Sequence, residues 1–157
     1  MNYLNLKLNI MCEVLKTTKR KKVAGYKLVI KKNDKYYSPM TGIEYMSNKK
    51  ITPVVTAEDY SKYKHNRASS EFLAEFSWLL KGKILESLFS KTMKGKTAIF
   101  KTKTDLHLRY PEIDENLTIV KMTLSNNICE GYYRAGWHGT SVKVFMGEFI
   151  ESIEEIN

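Results

Sequence analysis

The stretch Tyr132-Tyr133-Arg134-Ala135-Gly136-Trp137-His138-Gly139 gathers more chemically capable side chains than any other part of the chain. Aromatic rings can stack a base or a flat ligand, and a nearby guanidinium can follow a phosphate. Two glycines give the backbone room to turn around such a group. Arg134, Trp137 and His138 are therefore candidate binding residues. The plainer account is a hairpin turn whose aromatics cover one end of a core.

Other stretches carry chemistry less completely. Gly95-Lys96-Thr97 imitates the end of a phosphate-binding loop. The full loop needs a glycine where this chain has Ser90, a strand before it and a helix after it. Here the expected order is inverted, with a helix first and the strand-like Ala98-Ile99-Phe100 next. Cys12 and Cys129 could supply a nucleophile with His138 as its base, but nothing local sets that geometry, and cysteine is often simply buried. His65, His107 and His138 lie too far apart in sequence for a zinc pattern. An ADP-ribosyltransferase-like enzyme would need a glutamate on a late strand beside an NAD pocket, and Glu148 or Glu151 could stand there. No earlier Arg or His and no Ser-Thr-Ser strand completes that set. No catalytic residue, metal or cofactor is assigned.

Charge gives a second kind of candidate. The net charge is +9, with 26 Lys and Arg against 17 Asp and Glu. It is concentrated in the first third, above all in Lys16, Lys19, Arg20, Lys21 and Lys22, with Lys31 and Lys32 further on. The last ten residues reverse the sign through Glu148, Glu151, Glu154 and Glu155. Only four of the 26 basic residues are Arg. Lysine is a hydrated point charge, whereas base readout and phosphate forks favour the planar guanidinium. Such a surface meets polyanions diffusely and in a salt-dependent way, or is merely solvated. Lys19, Arg20, Lys21, Lys22, Lys31 and Lys32 complete the candidate binding set, with 16–35 as the expected contact surface.

These residues need a scaffold. Leu4, Leu6, Leu8 and Ile10 recur at period two, as in a half-buried strand. Tyr26-Lys27-Leu28-Val29-Ile30 is a β-branched and aromatic run, and Asn33-Asp34 turns it back through Lys35-Tyr36-Tyr37. Thr56 caps a short helix carrying Tyr60 and Tyr63. From Ser69 to Phe89, apolar residues including Phe72, Phe76, Leu80 and Leu88 follow helical spacing, with Trp78 at the rim of the stripe. That stripe reads as core, or less simply as a partner-binding face. Thr97-Ala98-Ile99-Phe100 is a short buried strand, and a short helix through Leu106 and Leu108 stops before Pro111. Strands return over Leu117–Leu124, Ile128–Tyr133 and Ser141–Ile150. The reading is one α+β domain over 1–157, mainly antiparallel sheet, with one long helix at about 69–89 packed on a face. Residues 148–157 continue the last strand or form an acidic tail.

Tyr37-Ser38-Pro39-Met40-Thr41-Gly42-Ile43-Glu44-Tyr45, preceded by Tyr26-Lys27-Leu28-Val29, resembles a loose group of small uncharacterised proteins of bacteriophages and mobile elements. Ala98–Thr102, Leu117–Leu124 and Val142–Ile156 echo later parts of that pattern, while 69–89 looks like an insertion. The resemblance implies a viral or mobile-element origin. Small proteins of that kind often bind and disable host machinery. The expectation is a non-catalytic binding protein, an inhibitor of a CRISPR-like or other host nuclease complex, whose partner is a host protein or nucleoprotein. The alternatives are sequence-independent nucleic-acid binding and the transferase-like enzyme. No membrane span or signal segment is read, and the expected location is the host cytoplasm.

Overall fold

The computed structural model describes residues 16–54, 56–68, 95–110, 113, 115–135 and 140–156. Among them ten strands join one antiparallel sheet. They are β1 (Lys16–Thr17), β2 (Lys22–Lys32), β3 (Lys35–Tyr37), β4 (Glu44–Tyr45), β5 (Lys49–Lys50), β6 (Thr97–Phe100), β7 (Leu117–Ser125), β8 (Cys129–Ala135), β9 (Thr140–Gly147) and β10 (Phe149–Glu155). The lateral order is β1-β8-β9-β6-β2-β7-β10-β5, with β3 beside β2 and β4 beside β3. Two short α-helices accompany them, α1 (Ala57–Lys62) and α2 (Lys103–Arg109).

This overturns the α+β reading. The architecture is predominantly antiparallel sheet, and α2 is the only helix of seven residues or more among the described residues. The long helix expected over 69–89 lies outside those residues. The sheet faces are covered by other means. On β2, Val23 and Val29 point to one face while Tyr26 and Leu28 point to the other, as the two-residue repeat requires. Both faces are apolar, so both need a cover. The first cluster, with Ile99, Val120, Met122, Leu124 and Phe145, is capped by Tyr36 and by Tyr60 and Tyr63 from the α1 region. The second, with Phe100, Val142 and Val144, is capped by Leu106 of α2.

The connections force the sheet to coil. Only Glu148 separates β9 from β10, yet the two strands stand four positions apart in the sheet. Four inter-strand spacings are roughly 19 Å in a flat sheet, and two Cα steps reach at most about 7.6 Å. The sheet therefore curls until the end of β9 meets the end of β7. There the Glu148 amide donates to the carbonyls of Ser125 and Asn126, each at 3.2 Å. Asn126 and Asn127, both at positive φ, turn the chain from β7 into β8 at the same corner. The acidic end is thus strand rather than tail. Its β-bulge falls at Glu151, whose Oε1 accepts from Ser125 Oγ at 2.7 Å.

The hairpin between β2 and β3 uses Asn33 and Asp34 at φ 51° and 62°, the two-residue turn that matches strand twist. The β3–β4 loop is closed more tightly. Ser38 donates its amide to the Ile43 carbonyl at 2.9 Å, and the Gly42 amide donates to the Ser38 carbonyl at 2.8 Å. Gly42 has φ +81°, and an added Cβ would strike the Tyr63 carbonyl. The Ala68 amide then donates to the Pro39 carbonyl at 2.9 Å. The Tyr37–Tyr45 segment is therefore a buried brace that seats the α1 region on the sheet.

Two groups make this fold sensitive to alkali. Lys31 Nζ lies 3.0 Å from Glu155 Oε2, and the hydrogen bond and charge of Glu155 raise the Lys31 pKa. Burial raises that of Tyr110, which packs edge-on to Phe100 at a centroid distance of 5.8 Å. Both folded values exceed the unfolded ones. Each contribution is therefore whole below about pH 10, where the unfolded groups keep their protons, and is lost as pH rises through the folded value. The urea midpoint should hold steady to about pH 9 and fall beyond about pH 10. Tyr110→Phe should remove part of that fall.

Candidate functional site

The basic residues before β2 form a pinned loop at the corner of the coiled sheet. β1 pairs with the start of β8, and the Thr18 amide donates to the Ile128 carbonyl at 3.1 Å. Thr18 Oγ1 then accepts the Arg20 amide at 2.8 Å, a local bond that holds the turn. Lys19, Arg20 and Lys21 are exposed. The Arg20 guanidinium sits 5.4 Å from the centroid of the buried Phe145 ring. Among the described residues none of the three has a carboxylate within ion-pair distance. Lys22 differs, because its Nζ is 3.9 Å from Glu151. Nearby, Lys143 is neutralised by Glu130 at 3.2 Å.

Lys31 and Lys32 do not join this loop. They stand at the other end of β2, and nine residue steps along the strand separate Lys22 from Lys31 by roughly 30 Å. Lys31 is held by Glu155, and Lys32 Nζ donates to the His65 carbonyl at 3.0 Å. The expected 16–35 surface is thus divided between two ends of one strand.

At that second end the structure adds residues that the sequence reading passed over. Lys62, Lys64, His65 and Arg67 follow one another through the end of α1 and the 3-10 turn Lys64–Asn66. The Arg67 guanidinium lies 3.9 Å from the centroid of Tyr60, and its buried Nε has no hydrogen-bond partner among the described residues. Lys62 Nζ stands 5.6 Å from the Tyr63 ring. The signal is the basic run Lys62-Tyr63-Lys64-His65-Asn66-Arg67, of which only Tyr63, as a helix residue, and His65, as a rejected zinc ligand, figure in the sequence reading.

The remaining candidates separate. Arg134 lies in β8 opposite Ser141 of β9, and Trp137 and His138 lie outside the described residues, as does Cys12. Cys129 is buried, with Lys96 Nζ 3.1 Å from its sulfur. Gly95 turns at φ +68° directly into β6, so Gly95-Lys96-Thr97 leads into a strand and not into the helix that a phosphate loop requires. Glu148 Oε1 accepts from Asn127 Nδ2 at 3.1 Å, so Glu148 and Glu151 both serve the corner. Among the described residues no three His, Cys, Asp or Glu side chains gather as a metal site. No helix among them is long and apolar enough to cross a membrane.

No protein-family model, curated protein or solved structure matches this chain.

Proposed function

We propose that this is a non-catalytic binding protein of the phage or mobile-element type that docks on an acidic face of a host protein or nucleoprotein complex, such as a defence nuclease. The observation that carries the reading is three consecutive exposed cations in one pinned loop. Lys22, Lys31, Lys35 and Lys143 are paired with carboxylates, whereas Lys19, Arg20 and Lys21 stand exposed in a pinned loop without such a partner among the described residues. A loop held by backbone bonds loses little entropy on docking, and unpaired charge steers association with an acidic surface.

One observation favours direct nucleic-acid binding as the second reading. The Arg67–Tyr60 stack pairs an oriented guanidinium with an aromatic face, the combination that single-stranded nucleic acids meet.

A Lys19→Ala/Arg20→Ala/Lys21→Ala variant tests both. The three side chains are exposed, so stability should change by no more than about 0.5 kcal/mol per site. Wild-type capture of a defined complex from bacterial lysate should survive nuclease treatment, and capture by the variant should be at least tenfold lower. Undiminished capture by the variant would remove the loop from the interface. Capture that vanishes with nuclease, together with salt-sensitive binding of mixed-sequence DNA or RNA, would favour the second reading.

A further inference from the structure

A cleft between the β3–β4 loop and the start of β6 has room for about 110 Å³. Its walls divide by chemistry. Ile43, Ile51 and Val54 make one side apolar. Lys27, Lys96, Ser38, Thr41, Thr52 and Thr97 supply the polar side, and among the described residues no Asp or Glu lines the cleft.

The polar groups all have protons to give. Lys27 points from β2 toward the cleft, and its Nζ donates to the Ala98 carbonyl at 2.7 Å while resting 5.7 Å from the Tyr45 ring centroid. An ammonium carries three donors and no acceptor, so two remain. Among the described residues Lys27 has no carboxylate in ion-pair range. The Ser38 hydroxyl oxygen already accepts the amides of Met40 at 3.3 Å and Thr41 at 3.1 Å. The Thr41 hydroxyl oxygen accepts the Ile43 amide at 3.4 Å. Both residues are buried, at 5% and 9% exposure, and neither hydroxyl proton has an acceptor among the described residues. Buried donors without acceptors are costly unless something fills the site.

We infer that this cleft binds a carboxylate carried on a short aliphatic body. A carboxylate is acceptor-only, so it matches a wall that is rich in donors, carries the two ammonium groups of Lys27 and Lys96 and holds no opposing carboxylate among the described residues. The facing aliphatic wall suits a body of a few carbons, for which a volume of about 110 Å³ has room. A free short-chain acid and a partner's acidic side chain present the same group. This site is separate from the basic loop, and neither reading depends on the other.

Butyrate, butyramide, inorganic phosphate and a doubly capped glutamate, titrated into isotope-labelled full-length protein, test the inference by amide chemical shifts. Butyrate should saturably shift the amides of Lys27, Thr41, Gly42 and Ala98, and butyramide should not. Tighter binding of the capped glutamate identifies a protein side chain as the natural occupant, and tighter butyrate identifies a free acid. Lys27→Gln keeps a donor for the Ala98 carbonyl but removes one of the two charges, and it should weaken butyrate severalfold or more. If that variant does not fold, Thr41→Val, which removes one hydroxyl at nearly constant shape, should weaken it severalfold. Butyrate and butyramide binding alike, phosphate binding as well as butyrate, no saturable shift at all, or a folded variant with unchanged affinity would each overturn the inference.

Discussion

Gly42→Ala should lower stability by about 3 kcal/mol or more, because two penalties coincide at that position. The backbone stands at φ +81°, where an L side chain meets its own carbonyl. The new methyl would also fall on the Tyr63 carbonyl oxygen, which belongs to the backbone and cannot rotate away. The β3–β4 loop and the α1 region would have to separate, and with them the cover over the first apolar cluster. Two further glycines divide the effect. Gly25 needs no special φ, but its Cβ would strike the Phe100 carbonyl where β2 meets β6, so Gly25→Ala should also cost several kcal/mol, on the order of 2 to 4. Gly95 has φ +68° but, among the described residues, no atom nearer than Pro53 Cβ at 4.0 Å, so Gly95→Ala should carry mainly the backbone penalty of about 1 to 2 kcal/mol. A thermal melt separates them, at about 2–4 °C per kcal/mol for a chain of this size. Equal effects at Gly42 and Gly95 would mean that the contact with Tyr63 contributes nothing.

Leu106→Ala should cost about 2 to 5 kcal/mol, the range for truncating a buried leucine. Leu106 has no exposed surface and is the one buried residue of α2. Seven residues are too few to hold a helix in water, so α2 depends on this anchor. Its N-cap, where Thr102 Oγ1 accepts the Asp105 amide at 3.0 Å, contributes only about 1 kcal/mol. Without the anchor, Leu28, Val142 and Val144 would lose their cover on the second face. The expected signature is a lower urea midpoint and faster proteolysis across 101–110. Leu108, two residues on and 49% exposed, supplies the comparison, since Leu108→Ala should stay within about 0.5 kcal/mol.

Local signals in the sequence were read well where local chemistry decides. Thr56 does cap α1, accepting the Asp59 amide at 3.1 Å, and Thr97–Phe100 is a strand buried along its whole length. Asn33-Asp34 turns as its residue types require. The single span Ser141–Ile150 is where the reading failed most instructively. It breaks into β9 and β10 at Glu148, and the break is set by bonds to Ser125 and Asn126, which no periodicity within the span can announce. The α+β reading failed for a related reason. It gave the covering of the sheet to one strong helical stripe, whereas short covers, α2 and the β3–β4 loop, lie against the two faces of the described sheet.

The candidate site was legible only in part. Counting charge along the chain located Lys19, Arg20 and Lys21, because exposed cations need no tertiary context to be recognised. Counting could not separate them from Lys22 and Lys31, whose carboxylate partners come from the far end of the chain. Nor could it show that Lys27, inside a run that reads as ordinary strand, would face a cleft built from two distant segments.

The pairing of β2 also sets a timetable for synthesis. Lys22–Ile30 finds its main partner in Leu117–Ser125, and β6 finds its own in β9. At ribosomal speeds of about 5–20 residues per second, β2 waits on the order of ten seconds with an unpaired edge and apolar faces before that partner is made. During this interval the nascent chain is a client for chaperones, and a variant that slows elongation between these strands would lengthen its exposure without altering any native contact.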